Sequence, residues 1–327
     1  MTAVAVEAPI VVSQTRVIDA RPLGESFVRL VVAGPDLLRW SADVVDPGTV
    51  RDAYIKVIVP PPGGGGAIPD ADAIRDWLAL PEGERGWMRT YTVRRADTVA
   101  LDGEHVPALT VDMVVHPGDD EGPGSAWARS VRPGDIVHIA GPGRGHAPWA
   151  AWAPGRAERV VCAGDETAAP ALLAIAGELA AEQATTGSVA GGDVSGGAVS
   201  GGAVPRRQVQ IIVEVPTHRD AVALAEGAPD FVTVLPREGK PGTAVARRLA
   251  GVLDLGDECV RTVLGGRRPA EREWQPATAV SAGQPYVFLA GEAGLVRAMR
   301  RLAVDAAGVP KEAVAFMGYW RRGAAEC

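Results

Sequence analysis

The spacing of hydrophobic and polar positions changes near the middle of the chain. In the first half, short β-branched runs alternate partly with polar residues and are separated by Pro, Gly and Asp turns, a pattern typical of antiparallel strands. The strands predicted there are Arg16–Ile18, Phe27–Val32, Tyr54–Val59, Arg89–Arg94, Leu109–Val115 and Ile136–Ala140, with one short helix at Ala71–Leu80. Several strands with so little helix predict a small closed β-barrel.

In the second half, apolar runs alternate with helical segments. The predicted strands are Val160–Ala163, Val209–Val215, Phe231–Leu235, Tyr286–Ala290 and Ala313–Tyr319, and the predicted helices are Ala168–Glu182, Thr243–Val252 and Glu292–Ala307. Strands that alternate with helices predict a parallel sheet covered on both faces. The turn Ala153–Glu158 divides the chain into domains 1–154 and 155–327, and a Gly/Ser-rich tract at 185–207 is predicted to be a flexible loop in the second.

Composition and charge narrow the class of protein. A length of 327 residues suits two domains, and a net charge of −7 argues against a partner bound through nucleic-acid phosphates. Three cysteines at unrelated spacings, and histidines without an HxH or HxxH pair, predict neither a disulfide framework nor a protein-bound metal. No apolar run reaches the roughly 20 residues of a membrane span, and the first residues lack a signal-peptide pattern. We therefore expect a cytoplasmic protein without membrane insertion. Because no heptad pattern appears, we expect a monomer.

The sharpest local signal is the sequence MRTYTVRR at 88–95. On a strand, Arg89 and Tyr91 share one face, and Thr92 and Arg94 share the other. An arginine offers a planar fork for a phosphate, a tyrosine offers a flat face for a ring, and a threonine offers a hydroxyl for a ring heteroatom. The same residues also fit an edge strand with solvated arginines and a cross-strand Tyr–Thr pair.

Further segments extend this signal along the chain. They read DMVVH at 112–116, GPGSAWA at 122–128, GDIVHIAGP at 134–142, AGDETAAPA at 163–171, LAGEAGLVRAMRR at 289–301 and GYWRRG at 318–323. With R-x-Y-T-V-R at 89–94, they resemble the siderophore-interacting protein family, FAD-containing ferric-siderophore reductases of the ferredoxin reductase-like superfamily. Met113 replaces the family's usual aromatic residue, and Gly124 replaces its usual alanine. The resemblance implies an N-terminal antiparallel Greek-key β-barrel that binds FAD and a C-terminal parallel-sheet α/β domain that binds NAD(P)H, as in ferredoxin-NADP reductases.

The resemblance also implies which residues hold the flavin. Arg89 is expected against the FAD phosphates, Tyr91 stacked on the isoalloxazine, and Thr92 hydrogen-bonded near N5. The full set of expected cofactor contacts is Arg89, Tyr91, Thr92, Val93, Arg94, Val114, His116, Gly124, Ser125, Ala126, Trp127 and Thr167. Two of these have another interpretation, since His116 also suits a turn and Trp127 also suits packing. Ser125 is expected in addition as the N-cap of a short helix at 126–131.

The motif AGDETAAPA follows the first strand of the second domain. Parallel sheets bind ligands beyond the carboxyl ends of their strands, so Asp165, Glu166 and Thr167 are expected at the cleft between the domains. Asp165 joins Tyr91 and Thr92 as a predicted catalytic residue. Alternatively, the two carboxylates only complement the first turn of a helix whose N-cap is Thr167.

The implied reaction carries hydride from NAD(P)H to FAD and then electrons to an Fe(III)-siderophore. Hard oxygen ligands suit Fe(III) far better than Fe(II), so reduction releases the iron as Fe(II). The donor stays open: Glu214 favours NADH if it bonds a ribose hydroxyl, Arg219 favours NADPH if it holds a 2′-phosphate, and a ferredoxin is a third donor.

A ferric siderophore is often anionic, so cationic residues are expected beside the flavin. The expected substrate contacts are Lys56, Arg268, Arg321 and Arg322; each also fits a solvated surface charge. Whether Trp320 gates the flavin stays open. Two other functions fit the same signals: a flavin- or ferredoxin-coupled reductase with another acceptor, and a flavin-bound siderophore carrier with little turnover.

Overall fold

A computed structural model describes residues 6–116, 122–189, 207–265, 274–277, 280, 283 and 285–323. The chain divides into two compact units. The first contains the residues up to 150 together with 219–224, and the second contains 151–218 and 225–325. The division after residue 150 falls just before the turn that the sequence suggests as a domain boundary.

The first unit is built on a seven-stranded antiparallel sheet. Its strands are β1 (Ile10–Leu23), β2 (Phe27–Ala33), β3 (Tyr54–Val59), β4 (Trp87–Thr92), β5 (Arg95–Leu101), β6 (Glu104–Val114) and β7 (Ile136–Pro142), in the order β4-β3-β7-β1-β2-β6-β5. Its helices are α1 (Ala42–Val45), α2 (Ile74–Ala79), α3 (Glu82–Arg85) and α4 (Pro123–Ser130). Apolar side chains from β2, β3, β6 and β7 face one small cavity, which is the interior of the barrel.

Strand β1 is much longer than the strand predicted there, because its buried positions include polar residues. Every second residue over 11–17 is buried, as one inward-facing side of a strand requires. Ser13 accepts a hydrogen bond from Trp40 Nε1 at 2.8 Å, and the Thr15 hydroxyl donates to Val137 O at 2.9 Å. Since both inward-facing hydroxyls are satisfied by hydrogen bonds, hydrophobicity alone does not reveal this strand.

The second unit has five parallel strands and one short antiparallel edge strand. The strands are β8 (Arg159–Gly164), β9 (Gln208–Val215), β10 (Val232–Pro236), β11 (Trp274–Gln275), β12 (Pro285–Glu292) and β13 (Val314–Trp320), in the order β10-β9-β8-β12-β13-β11. The helices are α5 (Ala169–Val189), α6 (His218–Ala225), α7 (Thr243–Val252), α8 (Asp257–Gly265) and α9 (Ala293–Arg301). Strands β8 and β12 are almost wholly buried, as the centre of a parallel sheet should be. The predicted two-domain fold class is confirmed.

Helices α5, α6 and α8 differ from the sequence prediction. Helix α5 continues to Val189, so residues 185–189 of the predicted loop are helical, and residues 190–206 lie outside the described residues. Helices α6 and α8 were not predicted; in α8 only Val260 is fully buried, too little for a clear apolar stripe. No helix in the described ranges has the length and hydrophobicity of a membrane span.

Candidate functional site

Strand β4 carries the predicted flavin-binding residues on a defined face of the barrel. It pairs with β3 so that Arg89 lies opposite Val57 and Tyr91 opposite Ile55. Val57 and Ile55 line the barrel interior, and directly opposed residues share a face. Arg89 and Tyr91 therefore point to the inner side, where both are half-buried, whereas Thr92 points outward and is 7% exposed. This is the division of faces that the sequence predicts.

The inner face of β4 meets the first turn of α4. A Cβ atom built on Gly124 would overlap the Tyr91 hydroxyl and would lie 3.9 Å from Arg89 Cγ. The Tyr91 hydroxyl thus occupies the space that a side chain at position 124 would need. Two segments more than thirty residues apart in the sequence are brought into contact here, because glycine allows the close approach.

The start of α4 differs from the prediction for Ser125. The helix begins at Pro123 with Gly122 as N-cap, and no side chain caps it. Ser125 lies inside the first turn, where its hydroxyl accepts from His116 N at 3.3 Å and lies 3.5 Å from Val114 O. Ser125 therefore ties the helix to the end of β6 rather than capping it. A helix start without a side-chain cap leaves backbone N–H groups suited to an anion.

Arg94 adds a buried positive group just after β4. Its Nε is buried and has no hydrogen-bond partner among the described residues. Nearby, Arg29 and Asp112 form a two-pronged ion pair at 2.6 and 2.7 Å. Burial lowers the pKa of Arg94, and the charge of Asp112 offsets part of this effect. An unsatisfied buried guanidinium nitrogen is costly, so this site is suited to an anionic oxygen.

These features fit the phosphate-bearing part of FAD. We call Arg89, Tyr91, Gly124 and Ser125 the α4 cradle. It combines an arginine, a tyrosine ring and a helix N-terminus that lacks a side-chain cap, which together suit a pyrophosphate joined to a flat ring.

The remaining predicted flavin contacts have mixed surroundings. Trp127 lines the apolar interior of the barrel, which favours its packing interpretation. The Val93 side chain is fully buried, so that only its backbone is available to a cofactor. Val114 is half-buried, whereas His116 after β6 and Ala126 within α4 are exposed.

The predicted substrate contacts that the structure describes belong to different units. Lys56 lies on the outer face of β3, and its Nζ donates to Thr90 Oγ1 at 2.6 Å. Arg321 and Arg322 are exposed after β13 in the second unit. Arg268 lies outside the described residues.

The second unit contains a pocket of about 320 Å³ at the carboxyl ends of its parallel strands. Its polar lining includes Asp165 after β8, Arg237 after β10, Glu292 at the end of β12 and Trp320 at the end of β13. This edge is where ligands bind to open parallel sheets.

Asp165 is fully engaged inside this unit. It accepts from Thr167 N at 2.9 Å, Thr167 Oγ1 at 2.6 Å, Glu292 N at 2.6 Å and Trp320 Nε1 at 3.3 Å. Burial raises the pKa of Asp165, while these donors act in the opposite direction. Gly291 has a φ of +131°, and a Cβ there would lie 2.6 Å from the carboxylate. The geometry gives Asp165 a structural role in joining three strand ends, and its catalytic role stays a prediction.

Thr167 also differs from the prediction. Its hydroxyl donates to Asp165, and α5 begins only at Ala169. Asp165 O accepts the backbone N–H groups of Ala168 and Ala169, both at 3.1 Å. Asp165 therefore organises the entry to α5, because both its backbone and its side chain accept hydrogen bonds there.

A second buried network in the pocket was missed by the sequence analysis. Glu166 Oε2 accepts from Arg237 at 2.8 Å, and Arg237 Nε lies 3.5 Å from Glu214 Oε1. Burial and the charge of Asp165 raise the pKa of Glu166 to about 7, although Arg237 lowers it. The available signal was position: like Asp165, Arg237 directly follows a parallel strand.

Glu214 does not fit a ribose contact. It is fully buried, and its two oxygens accept from Gly242 N at 2.6 Å and Val245 N at 3.1 Å. Glu214 thus satisfies the start of α7, as an N-terminal carboxylate does. Arg219, the alternative phosphate contact, is exposed and pairs with Glu25 at 3.0 Å.

Comparison with known proteins gives the same family in both halves of the chain. Residues 16–146 match the family model of the siderophore-interacting FAD-binding domain, and residues 202–323 match that of the siderophore-interacting protein. An uncharacterized protein of Mycobacterium tuberculosis is 28% identical over 315 residues, which cover 95% of this chain and 90% of that protein.

Solved structures agree with this assignment. The siderophore-interacting protein SipS of Aeromonas hydrophila is 25% identical with a TM-score of 0.55, covering 95% of this chain and 98% of its own. A siderophore utilization protein of T. fusca is 25% identical with a TM-score of 0.59, covering 98% and 97%. Phthalate dioxygenase reductase, at 13% identity, TM-score 0.51 and coverage of 97% and 70%, shares the fold alone. The chain belongs to the siderophore-interacting protein family.

Proposed function

We propose that this protein is an FAD-dependent reductase that takes hydride from NAD(P)H and delivers electrons to a ferric siderophore. The family and the reductase-like fold support a flavin-dependent role associated with siderophores. The observation that carries the proposal is the contact between the inner face of β4 and the start of α4, where Gly124 admits the Tyr91 hydroxyl beside Arg89.

In this proposal the α4 cradle holds the flavin. When bound, FAD accepts a hydride and passes electrons on one at a time. Arg89, Arg94 and the first N–H groups of α4 would neutralise the pyrophosphate, because a helix N-terminus and guanidinium groups both favour phosphate oxygens. Tyr91 would fix the plane of the ring system, and the Thr92 hydroxyl would bond near N5.

The pocket of the second unit would receive the nicotinamide nucleotide. Arg301, which also lines it, would attract phosphate, whereas the Asp165 and Glu166 carboxylates are tied into the fold. Because the pKa of Glu166 is raised to about 7, this group would hold or release a proton near neutral pH beside the bound nucleotide. The pocket contacts do not discriminate NADH from NADPH.

The iron enters as part of the substrate. Siderophore oxygens are hard ligands that hold Fe(III) more tightly than Fe(II), so a single electron weakens the complex. The protein then needs only to bring the anionic chelate close to the flavin. Lys56, Arg321 and Arg322 are the described cations proposed for that task, and their charge would concentrate an anion at an otherwise acidic protein.

Anaerobic stopped-flow absorbance tests the proposal with the FAD-loaded protein. NADH and NADPH are mixed separately, and a ferric catecholate or a ferric hydroxamate is then added with a ferrous-specific trap. We expect flavin bleaching by at least one nucleotide and reoxidation coupled to formation of the ferrous complex. Bleaching without Fe(II) formation would indicate another acceptor. If neither nucleotide bleaches the flavin, a reduced ferredoxin is the remaining donor to test, and failure with it would reject the reductase proposal.

A further inference from the structure

Two aromatic rings lie together on the outer face of the barrel. Tyr54 begins β3 and Trp149 follows β7, and their ring centroids are 5.7 Å apart with a 40° angle between the planes. The backbone fixes the pair, because Tyr54 N donates to Trp149 O at 3.0 Å. Both side chains are half-buried. We call Tyr54 and Trp149 the aromatic shelf.

A positive charge and a hydroxyl accompany the shelf on the same face. Lys56 is two residues after Tyr54, and side chains two apart on a strand point the same way. The ammonium of Lys56 lies 5.8 Å from the Tyr54 ring centroid and donates to Thr90 on the neighbouring strand. This distance is within the range of a cation–π contact. The ammonium is therefore held at a fixed place beside the rings.

The shelf is separate from the hydrophobic core. The barrel interior is lined by aliphatic side chains, Met113 and Trp127, all on the opposite side of β3 from Tyr54. Aromatic residues make up only 5% of the chain, and lysines are three of its 33 basic residues. Two rings and a lysine at one surface position therefore form a patch distinct from the arginine-rich remainder of the surface.

The phenol of Tyr54 is kept neutral. Burial and the negative charge of Asp52, which is 1% exposed, both raise the pKa of Tyr54 above its ordinary value. A neutral phenol keeps its O–H as a donor and does not repel an anionic ligand. The patch thus offers ring faces, a neutral hydroxyl and an ammonium.

We propose that the aromatic shelf with Lys56 is a substrate subsite that selects ferric chelates whose iron ligands are aryl oxygens, of the catecholate type. The inference rests on the proposed function and narrows its substrate class. An aryl ring of such a chelate stacks against Tyr54 or Trp149, and its anionic oxygens face the ammonium of Lys56. A hydroxamate chelate has similar oxygens around the metal but offers no ring to the shelf.

Gallium(III) chelates test the subsite without any electron transfer, because Ga(III) is not reduced. The FAD-loaded full chain is titrated by calorimetry with a Ga(III) tris-catecholate and with a Ga(III) tris-hydroxamate. Wild type should bind the catecholate more tightly. Tyr54→Leu and Trp149→Leu should each weaken catecholate binding by about threefold to tenfold, the range of one aromatic pair, and should leave hydroxamate binding within twofold.

Controls separate the subsite from folding and from flavin binding. Tyr54→Phe and Trp149→Phe keep the rings and should keep the preference for the catecholate. Flavin content should match wild type in all four variants; loss of FAD would place the rings in the cofactor site and overturn the proposal. Equal weakening of both chelates, or no weakening by either Leu substitution, would also overturn it.

A fluorescence measurement covers the case in which a Leu variant does not fold. The emission of Trp149 is obtained as the difference between wild type and Trp149→Phe. The Ga(III) catecholate should quench this component more than the hydroxamate does, and equal quenching would contradict the proposal. Since no step requires turnover, a failed reductase assay leaves this result standing. Conversely, reduction of both ferric chelates with unchanged Ga(III) affinities in the Leu variants would reject the subsite alone.

Discussion

The polar groups of the two candidate ligand sites differ in whether they already have hydrogen-bond partners within the protein. In the first unit, the start of α4 in the cradle lacks a side-chain cap, and Arg94 Nε just after β4 has no partner among the described residues. In the pocket of the second unit, Asp165 accepts four hydrogen bonds and Glu214 caps a helix. The cradle leaves backbone N–H donors available to a ligand. In the pocket, the carboxylates instead hold strand ends and helix starts together.

This contrast shows how to interpret charged residues at strand ends. Position at the carboxyl end of a parallel strand predicts nearness to a ligand, but not contact with it. The local hydrogen bonds decide the role. Substitutions in each site should therefore separate into effects on folding, in the second unit, and effects on flavin binding, in the first.

The largest effect is expected for Asp165→Ala. The change leaves Glu292 N, Trp320 Nε1 and the Thr167 donors without their acceptor, and should lower the free energy of unfolding by about 3 to 4 kcal/mol. Asp165→Asn, which keeps one acceptor oxygen, should lose less. Urea denaturation followed by circular dichroism measures both, with exposed Asp305→Ala as control. Wild-type stability combined with a large loss of hydride transfer would support the catalytic role of Asp165 and contradict a purely structural one.

The next effect is expected for Gly124→Val in the cradle. Its Cβ would displace the Tyr91 hydroxyl, disturbing both the ring and the first turn of α4, so the Kd for FAD should rise by about 100-fold. Gly83→Val is the matched control, because residue 83 is exposed on α3 and a Cβ there meets nothing within 4 Å. Flavin fluorescence titration of the apo-protein gives both values. Equal FAD affinity in Gly124→Val and wild type would show that the cradle does not bind the flavin.

A smaller effect is expected for Arg94→Met, which should weaken FAD binding without lowering the stability of the apo-protein. Loss of the guanidinium should weaken FAD binding by about tenfold. The apo-protein should be as stable as wild type or more stable by about 1 kcal/mol, because an unsatisfied buried group is removed. Arg95→Met, at an exposed residue paired with Asp97, should change neither quantity. If Arg94→Met instead destabilises the apo-protein by more than about 2 kcal/mol, Arg94 is structural.

The order of a β-barrel domain followed by an α/β domain was predicted well, because the sequence signals for it are local. The change from short β-branched runs to alternating strands and helices is visible in the residues themselves, and the bounds of β3 and α7 match the prediction. Strand β1 was mostly missed, because its inward hydroxyls on Ser13 and Thr15 are satisfied by partners far along the chain. Such pairing is a property of the fold and not of the local pattern.

In the candidate sites too, features set by the local pattern were predictable and contacts between distant segments were not. The faces of Arg89 and Tyr91 follow from strand alternation, so they were predictable. The meeting of Tyr91 with Gly124, and the links from Glu166 through Arg237 to Glu214, join separate segments and depend on register and loop placement. A single sequence therefore indicated which residue types matter but not which of them already serve the fold.

The sharpest test of the pocket is the pH dependence contributed by Glu166, an effect that is small over any single pH unit. Its pKa is raised from 4.5 to about 7 in the folded protein, by burial and by Asp165 against the opposing charge of Arg237. The folded state therefore holds the proton more tightly than the unfolded chain. Below the ordinary pKa the group changes nothing, and as pH rises toward 7 it should lower the free energy of unfolding by about 1 kcal/mol per pH unit.

Glu166→Gln should remove this contribution, since a neutral amide keeps the shape without the titration. Urea denaturation at a series of pH values should show the stability difference between variant and wild type growing as pH rises toward 7. Glu238→Gln, at an exposed residue one position after Arg237, should leave the wild-type slope intact. Parallel pH curves for wild type and Glu166→Gln would mean that Arg237 keeps Glu166 ionised throughout. The pocket would then hold a fixed ion pair rather than a group that exchanges its proton near neutral pH.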